Sequence, residues 1–343
     1  MMAEYGFEKK EGGDAMFQGK RTLFIGLLSL STSLMLTGWA EQAQSQEKYP
    51  TRAIEIICPY NPGASTDLVN RITAQYLNRK WGVPVNVVNK PGGNTVPACL
   101  EVYNATPDGY TLFGDSLPAT PQLPAVVKNL PFKIMDRTFI NMVALTPMVV
   151  IVPSASPFKS MKELEAEARK DPGNLTWTCL GGSAAIDFLL RQVLKAWDVD
   201  ILKTKPIMCQ GGSQAAMLTA GGHVKLGGGT ISGALPAIKS GTVRPLAVTS
   251  KQRWPDLPDV PTTEEEGYPS VNVQNRLGYS GPPKLPSSVV EAWEKASREM
   301  IKDPEVISKL KNIGAKPDYL SARETRELTA KEIEEVEKLF RIQ

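Results

Sequence analysis

Strands and helices alternate along most of the chain after residue 50, and this alternation limits the possible folds more than any other feature. Short apolar runs typical of buried strands are followed by apolar residues at helical spacing, as in the run 53–58 and the segment 66–80. Such a pattern predicts an α/β fold with largely parallel sheets. With 343 residues the chain is long enough for two domains.

Two extended stretches do not fit one simple sheet, and each is interpreted as a crossing between two lobes. The stretch 139–152 is too long for one buried strand, and the stretch 274–280 follows a proline-rich passage. We therefore predict a first lobe formed by 47–146 plus 274–343 and a second lobe formed by 147–273. Ligand sites in such folds lie in the crevice beyond the carboxyl ends of the strands. The other predicted strands are 85–88, 110–113, 175–179, 204–209, 224–226 and 243–249, and the other predicted helices are 160–170, 183–197, 213–220, 287–302, 304–311 and 321–340.

The beginning of the chain, 1–40, has the pattern of a secretory signal peptide. Lys20 and Arg21 precede 14 mostly apolar residues, a run shorter than the ~20 that a membrane-spanning helix needs, and small residues follow it. Met16 is the expected start of translation, and an uncleaved anchor is the alternative. Trp39 stands where a lipoprotein carries its cysteine. We therefore expect a soluble, exported, periplasmic protein that is not a lipoprotein.

The charged and metal-binding residues exclude several classes of protein. The 39 basic and 36 acidic residues contain no block of like charge, which argues against nucleic-acid or polybasic membrane binding. The single histidine, His223, excludes multi-histidine metal sites and limits any Ser-His-Asp triad to this residue. The four cysteines form no Cys-x-x-Cys pair and are interpreted as free or buried thiols, with one disulfide as the alternative. We expect no metal and no cofactor.

The strongest candidate ligand loop is 58–67, which leads from a strand through a turn rich in proline and glycine into a helix. The first N–H groups of a helix have no acceptor within the helix, and together with the helix dipole they form an anion site. Ser65 and Thr66 add hydroxyl donors, while Asp67 is expected to cap the helix. The alternative is a capped helix without a ligand, and these residues alone leave both possibilities open.

Two further junctions, 180–184 and 210–214, also lead from a strand through glycines into a helix. Glycine lets the backbone approach a bound group closely. Neither junction is a P-loop, because no Gly-Lys-Ser/Thr sequence follows. Ser183 is not part of a nucleophile elbow, because the glycine expected two residues later is missing. These features disfavour a hydrolase.

Several motifs, in order along the chain, together carry a family resemblance. Tyr49-Pro50 is followed by the loop Cys58-Pro-Tyr-Asn-Pro-Gly-Ala-Ser-Thr-Asp67. Further motifs lie at 89–94, 107–112, 246–250, 257–262, 303–306 and 313–315. This set resembles the Bug-type solute receptors, which are the substrate-binding proteins of tripartite tricarboxylate transporters. The resemblance covers the whole chain after the predicted signal peptide.

The resemblance implies a periplasmic binding protein fold of type II (Venus-flytrap), with a cleft between two lobes. It implies a small carboxylate ligand held by the loops 60–67 and 210–214, largely through backbone N–H groups, with 181–184 beside them. The implied partners are the permease subunits of a tripartite tricarboxylate-type transporter, and we expect a monomer without a nucleic-acid partner. The implied ligand-binding residues are Tyr60, Asn61, Gly63, Ala64, Ser65, Thr66, Asp67, Gly182, Ser183, Ala184, Gln210, Gly211, Gly212 and Ser213.

Three departures from the family pattern concern the predicted cleft. Gly63-Ala64 replaces the usual Gly-Gly, and Met208-Cys209-Gln210-Gly211 replaces the usual Pro-Tyr-Lys-Gly, which enlarges the pocket and lowers its positive charge. Arg276 stands where a tryptophan is common. If Arg276 faces inward, it can grip a second carboxylate through two hydrogen bonds, so we add it to the predicted site. The alternative is that strand alternation turns Arg276 outward.

The prediction for function is a solute-binding receptor, not an enzyme, that captures a small carboxylate and delivers it to a membrane transporter. A receptor that feeds a sensor kinase and an exported α/β enzyme that uses the same cleft are the alternatives. The single histidine and the lack of a nucleophile motif favour the receptor over the enzyme.

Overall fold

The computed structural model describes residues 49–117 and 119–340, so the predicted signal peptide lies outside the described residues. The strands are β1 (Ile54–Cys58), β2 (Val85–Asn89), β3 (Thr111–Leu117), β4 (Thr138–Pro153), β5 (Thr176–Cys179), β6 (Lys205–Met208), β7 (Gly227–Thr230), β8 (Val243–Val248), β9 (Gln274–Gly281) and β10 (Lys316–Leu320). The α-helices are α1 (Ser65–Trp81), α2 (Val96–Tyr103), α3 (Ala119–Val126), α4 (Met161–Lys170), α5 (Ala185–Ala196), α6 (Gly212–Ala220), α7 (Ile231–Lys239), α8 (Ser287–Met300), α9 (Pro304–Asn312) and α10 (Ala322–Phe340). None of these helices combines the length and the apolar character that crossing a bilayer requires.

The longest strand, β4, belongs to two groups of paired strands. Its first part pairs with β9 and β10, and its second part pairs with β7 and β8. The sheet continues from β4 through β9, β3 and β1 to β2, while β5 and β6 form a separate two-stranded sheet. The long stretch that the sequence predicted as a crossing is therefore one strand of 16 residues that connects both groups.

The strand pairing is mixed rather than largely parallel, which corrects the expectation from the alternating pattern. β1 runs parallel to β2 and β3, and β5 runs parallel to β6. In contrast, β9 runs antiparallel to β3 and β4, and β4 runs antiparallel to β7, β8 and β10. Alternation along the chain predicts the elements but not which strands become neighbours. The two extended stretches are the strands β4 and β9, which run in opposite directions and pair with each other.

Buried apolar side chains form separate cores on either side of the point where β4 changes partners. One core surrounds Trp293 and draws its residues from 54–144 and 277–315. Another surrounds Trp177 and draws its residues from 148–273, apart from one residue of α10. Because each core anchors its own strands and helices, the loops that follow β1, β5 and β6 have defined positions.

The predicted capping box at Ser321 is confirmed. Ser160 is confirmed as the N-cap of α4, but the Glu163 carboxylate accepts from the N–H of Lys159 rather than from that of Ser160. Ser160 Oγ accepts a hydrogen bond of 3.2 Å from the N–H of Glu163, at the start of α4. Ser321 Oγ accepts a bond of 3.3 Å from the N–H of Glu324, and the Glu324 carboxylate accepts one of 2.8 Å from the N–H of Ser321. These starts were predictable because a capping box is local in sequence.

The elements α2, α3, α7 and β10 were not predicted. Pro124 and Pro236 lie inside α3 and α7, and proline normally breaks a helical pattern. The predicted strand 224–226 is wrong, because the strand begins at Gly227 and is formed mainly by glycines, which have low strand propensity. A Cβ atom at Gly227 would lie 2.8 Å from Ile151 Cγ1, so close packing explains a glycine there.

Candidate ligand-binding cleft

The loops after β1, β5 and β6 meet around a cleft with two adjoining chambers. The outer chamber has a volume of about 520 Å³, and a loop before α2 forms its remaining wall. The inner chamber has a volume of about 50 Å³ and lies beside the first helical turns of α1 and α6. Both chambers are lined by Tyr60, Leu180 and Ala184, so they form one continuous site.

Most of the predicted ligand-binding residues line these chambers. Asn61, Ser183 and Gln210 line the outer chamber, Tyr60 and Ala184 line both, and Gly63, Ala64, Ser65, Thr66, Gly211, Gly212 and Ser213 line the inner chamber. Three predicted residues, Asp67, Gly182 and Arg276, line neither chamber.

The loops 60–67 and 210–214 face each other, as the sequence predicted. The Asn61 Nδ2 group donates a hydrogen bond of 3.4 Å to the carbonyl oxygen of Gln210. Tyr60 lies between the two chambers, and burial raises the pKa of its phenol, so the phenol remains a neutral hydroxyl group. Residues of both loops therefore line the same cleft.

Two helices present uncapped N-termini to the inner chamber. α1 follows Ala64, whose methyl group cannot cap it, and α6 follows Gly211, which has no side chain. The first N–H groups of both helices therefore lack the side-chain acceptor that usually satisfies them. No charged side chain among the described residues lines either chamber. Attraction for an anion comes from these N–H groups and the helix dipoles.

At the third junction, in contrast, most backbone N–H groups already have acceptors within the protein. The Asp187 carboxylate accepts hydrogen bonds from the N–H groups of Leu180 at 2.7 Å, Gly182 at 3.1 Å and Ala184 at 2.9 Å. Burial raises the pKa of Asp187, although these three N–H groups favour its ionised form. The loop 180–184 is therefore a wall of the cleft rather than an anion site. This corrects the prediction for Gly182.

Asp67 organises its loop instead of facing the ligand. Its carboxylate accepts hydrogen bonds from the Gly63 N–H at 2.9 Å, Asn89 Nδ2 at 2.8 Å and Arg71 Nε at 3.0 Å. Burial alone raises the pKa of Asp67, but these donors and the Arg71 charge outweigh burial and hold the pKa below its usual value. The structural role predicted for Asp67 therefore fits its contacts, and its place among the ligand-binding residues is corrected.

Asn275 lines the inner chamber and was not predicted. Its Oδ1 accepts a hydrogen bond of 2.6 Å from Ser116 Oγ, which fixes the orientation of the amide. Its Nδ2 then donates to Ser65 Oγ at 3.3 Å and adds a donor to the chamber. Its position next to Arg276 in the second crossing strand could have predicted it. Adjacent residues of a strand point to opposite faces, so if Arg276 points away from the cleft, Asn275 points toward it.

Arg276 lies outside the cleft, contrary to the hypothesis that it grips a second carboxylate. Its Nε donates to Asp318 Oδ2 at 2.8 Å, and its Nη2 donates to Gln274 Oε1 at 3.2 Å. Side chains alternate across a strand, so Asn275 and Arg276 point to opposite faces of β9. The side chain of Arg276 lines a different cavity, together with Glu332.

Sequence reasoning also missed the loop 91–95 and the two residues before Gln210. The loop lines the outer chamber and contains Asn94 and Thr95, which have positive φ angles of 52° and 65°. Met208 and Cys209 line the same chamber, and 62% of Met208 is exposed. These residues give the outer chamber an apolar part. The family motif at 89–94 overlaps the loop 91–95 and could have been used to predict it as part of the cleft.

The four cysteines are free and buried. Burial raises the pKa of Cys58 and Cys179 to about 12, and the pKa of Cys99 and Cys209 to about 11. A thiol with such a pKa is a weak nucleophile at neutral pH. Within the described residues, no group of three or more histidine, cysteine or acidic side chains could hold a metal ion.

Comparison with known proteins identifies the family. The family described as tripartite tricarboxylate transporter family receptor (TctC) matches residues 69–342 of this chain. A UPF0065 protein of Bordetella pertussis is 29% identical over 279 residues, which cover 81% of this chain and 85% of that protein. BugT of the same organism is 27% identical over 313 residues, which cover 90% of this chain and 94% of BugT.

Solved structures share the fold. The periplasmic binding protein BugD has a TM-score of 0.77 at 26% identity, covering 85% of this chain and 98% of BugD. MatC of Rhodopseudomonas palustris, solved with malate, has a TM-score of 0.79 at 23% identity, covering 85% of this chain and 100% of MatC, which is a likeness of fold alone. The chain therefore has the two-lobed periplasmic binding protein fold, and it belongs to the tripartite tricarboxylate transporter receptor family of solute-binding proteins.

Proposed function

We propose that this receptor captures a small carboxylate in the two-chambered cleft and delivers it to the permease subunits of a tripartite tricarboxylate-type transporter. The observation that carries the proposal is the pair of uncapped helix N-termini, those of α1 and α6, beside one small chamber. Carboxylates and phosphates both accept several such N–H bonds at once, and the family description favours a carboxylate. The family description supports the partnership with a transporter.

The ligand is proposed to place one carboxylate in the inner chamber and its less polar part in the outer chamber. Ser65 and Ser213 line the inner chamber with hydroxyl groups, and Asn275 adds an amide donor. Met208 lines the outer chamber with an exposed apolar side chain. Since Arg276 is paired with Asp318 outside the cleft, a second carboxylate has no guanidinium partner there. Binding requires no metal or organic cofactor in this proposal.

The cleft lies between two lobes, which we take as 47–146 plus 274–343 and 147–273. In support, the apolar residues of the two largest cores change over between Ala144 and Met148 and again between Val273 and Leu277. The loops 60–67 and 210–214 then belong to different lobes, so a bound ligand bridges them. The receptor is expected to act as an exported monomer in the periplasm.

Isothermal titration with a panel of small mono- and dicarboxylates, including malate, tests the proposal. We expect binding by at least one acid, and no binding by its uncharged amide analogue. Ser65→Ala and Ser213→Ala should each weaken binding by about 1.5–3 kcal/mol, the usual contribution of a hydrogen bond to a charged group. Ser240→Ala is the matched control, because Ser240 is exposed at the end of α7 and lines neither chamber.

Two results would contradict the proposal. One is equal binding of an acid to the parent, Ser65→Ala and Ser213→Ala proteins. The other is loss of binding after EDTA treatment with recovery on adding a divalent ion, because the helix N-termini alone should attract the carboxylate.

A further inference from the structure

A second cavity of about 380 Å³ lies on the opposite face of β9 from the cleft. It is bounded by α5, α10, the segment after β8 and the segment that leads into β9. It shares no lining residue with either chamber of the cleft, although Gln274 and Arg276 line this cavity while Asn275, between them, lines the inner chamber. We call it the Glu332 cavity, after the residue of α10 in its wall.

Most polar groups in the wall of the Glu332 cavity already have partners within the protein. Thr249 Oγ1 donates to the Val273 carbonyl oxygen, and Thr263 Oγ1 donates to the Val271 carbonyl oxygen at 2.6 Å. The Arg276 guanidinium is held by Asp318 and Gln274, as described above. The wall is therefore rigid and polar, and its hydroxyl groups do not need a ligand to satisfy them.

Glu332 is the exception. Its Oε2 atom is buried and has no hydrogen-bond partner among the described residues. An acceptor that is buried without a donor costs free energy unless a partner is supplied. Glu332 is among the residues that line the cavity, so a donor that enters the cavity lies close to its side chain. The donor that a carboxylate binds most strongly is a cationic N–H group.

The exposed charged side chains in the cavity wall are two lysines and two glutamates: Lys251, Lys331, Glu264 and Glu335. Lys251 and Lys331 are exposed and line the cavity, with Lys331 Nζ 3.8 Å from Glu335. Glu264 is also exposed and lines the cavity. A molecule whose ammonium group contacts Glu332 can direct a carboxylate toward these lysines. An anion alone would leave Glu332 without a partner.

We propose that the Glu332 cavity is a second ligand site, which binds a small zwitterion through its ammonium group at Glu332 and its carboxylate at Lys251 and Lys331. The volume of about 380 Å³ leaves room for a molecule of the size of a short ω-amino acid. This site is distinct from the carboxylate site in the cleft and does not depend on it.

Binding should release a proton at neutral pH. Burial raises the pKa of Glu332 to about 8, with Glu335 and Asp115 raising it further and Arg276 and Lys331 lowering it. In the free protein at pH 7 the carboxyl group is therefore mostly protonated. An ammonium ligand pairs with the ionised form, so the proton must leave as the ligand binds.

Isothermal titration of the mature protein with 4-aminobutanoate at pH 7 tests the site, in two buffers with different heats of ionisation. We expect the apparent binding enthalpy to differ between the buffers by the heat of close to one released proton. Glu332→Gln, which keeps the shape of the side chain, should weaken 4-aminobutanoate binding roughly tenfold or more. Glu334→Gln is the matched control, because Glu334 is exposed on the same helix and does not line the cavity.

Titrations with butanoate and butylamine distinguish binding at the Glu332 cavity from binding in the cleft. Any binding of butanoate, which has no ammonium group, should be unchanged in Glu332→Gln and reduced in Ser65→Ala. Lys251→Met should weaken 4-aminobutanoate but not butylamine, and it serves as a second variant because its side chain is exposed. The site would be disproved if 4-aminobutanoate did not bind, bound equally to the parent and Glu332→Gln proteins, or was weakened by Ser65→Ala alone.

Discussion

Asn275 illustrates how a single buried amide can set the ligand preference of the cleft. Because Ser116 Oγ donates to its Oδ1, its Nδ2 is held toward Ser65 and the inner chamber. Only 2% of Asn275 is exposed, so its orientation is protected from competing water. At this position a hydrogen-bond donor favours an anion, and an acceptor of the same shape opposes one.

Asn275→Asp should therefore weaken carboxylate binding more than Asn275→Ala does. The aspartate can still accept from Ser116, but it places a negative charge beside the ligand. Isothermal titration should give a loss of about 1.5–3 kcal/mol for Asn275→Ala and a larger loss for Asn275→Asp. Asn312→Asp, at the exposed end of α9, is the control for the charge change. Equal carboxylate affinity of the Asn275→Asp and parent proteins would show that Asn275 does not contribute to carboxylate binding.

The start of α1, beside the inner chamber, has no side-chain cap. Most helices in proteins begin with a residue whose side chain accepts from the first N–H groups, but Ala64 cannot do so. Elsewhere in this chain, Ser160 and Asp303 cap α4 and α9 in the usual way. An uncapped start also occurs away from the cleft, at α8 after Pro286, but at α1 the free N–H groups adjoin the inner chamber.

Ala64→Asp should stabilise the protein and weaken its binding. An aspartate at this position can cap α1, which typically contributes about 0.5–2 kcal/mol to the free energy of unfolding. The same carboxylate occupies the donors that the ligand needs and repels it, so we expect affinity for carboxylates to fall at least about tenfold. Chemical denaturation and titration measure the two effects. Ser160→Ala, which removes a cap far from the cleft, should lower stability and leave affinity unchanged.

At the scale of the whole fold, the described residues form apolar cores joined by the long strands β4 and β9. If the ligand bridges loops from both lobes, its binding should favour a compact arrangement. Small-angle X-ray scattering should therefore record a smaller radius of gyration with a bound carboxylate than without it. The double variant Ser65→Ala/Ser213→Ala should show no such change at the same ligand concentration. An unchanged radius in the parent protein under saturating ligand would contradict bridging.

Local features of the fold and site were predictable because their physical causes lie within a few residues. Short patterns were enough to recognise the helix caps at Ser160 and Ser321 and the strand-to-helix loop that ends at Asp67. The approach of loops 60–67 and 210–214 was predicted from the family resemblance rather than from any single pattern.

Contacts between residues far apart in the chain decided the features of the fold and the site that the sequence did not predict. The Asp187 carboxylate occupies three N–H groups of the junction 180–184, whereas no side chain among the described residues caps the start of α1. The direction of Arg276 depends on Asp318, and the mixed pairing depends on how β4 and β9 meet. By itself, the sequence determined most strands and helices, the capped starts of α4 and α10 and the family resemblance, because these depend on local residue patterns and ordered motifs. The tertiary structure alone decided which N–H groups stay free and which face of β9 meets the cleft, because both depend on packing between segments far apart in the chain.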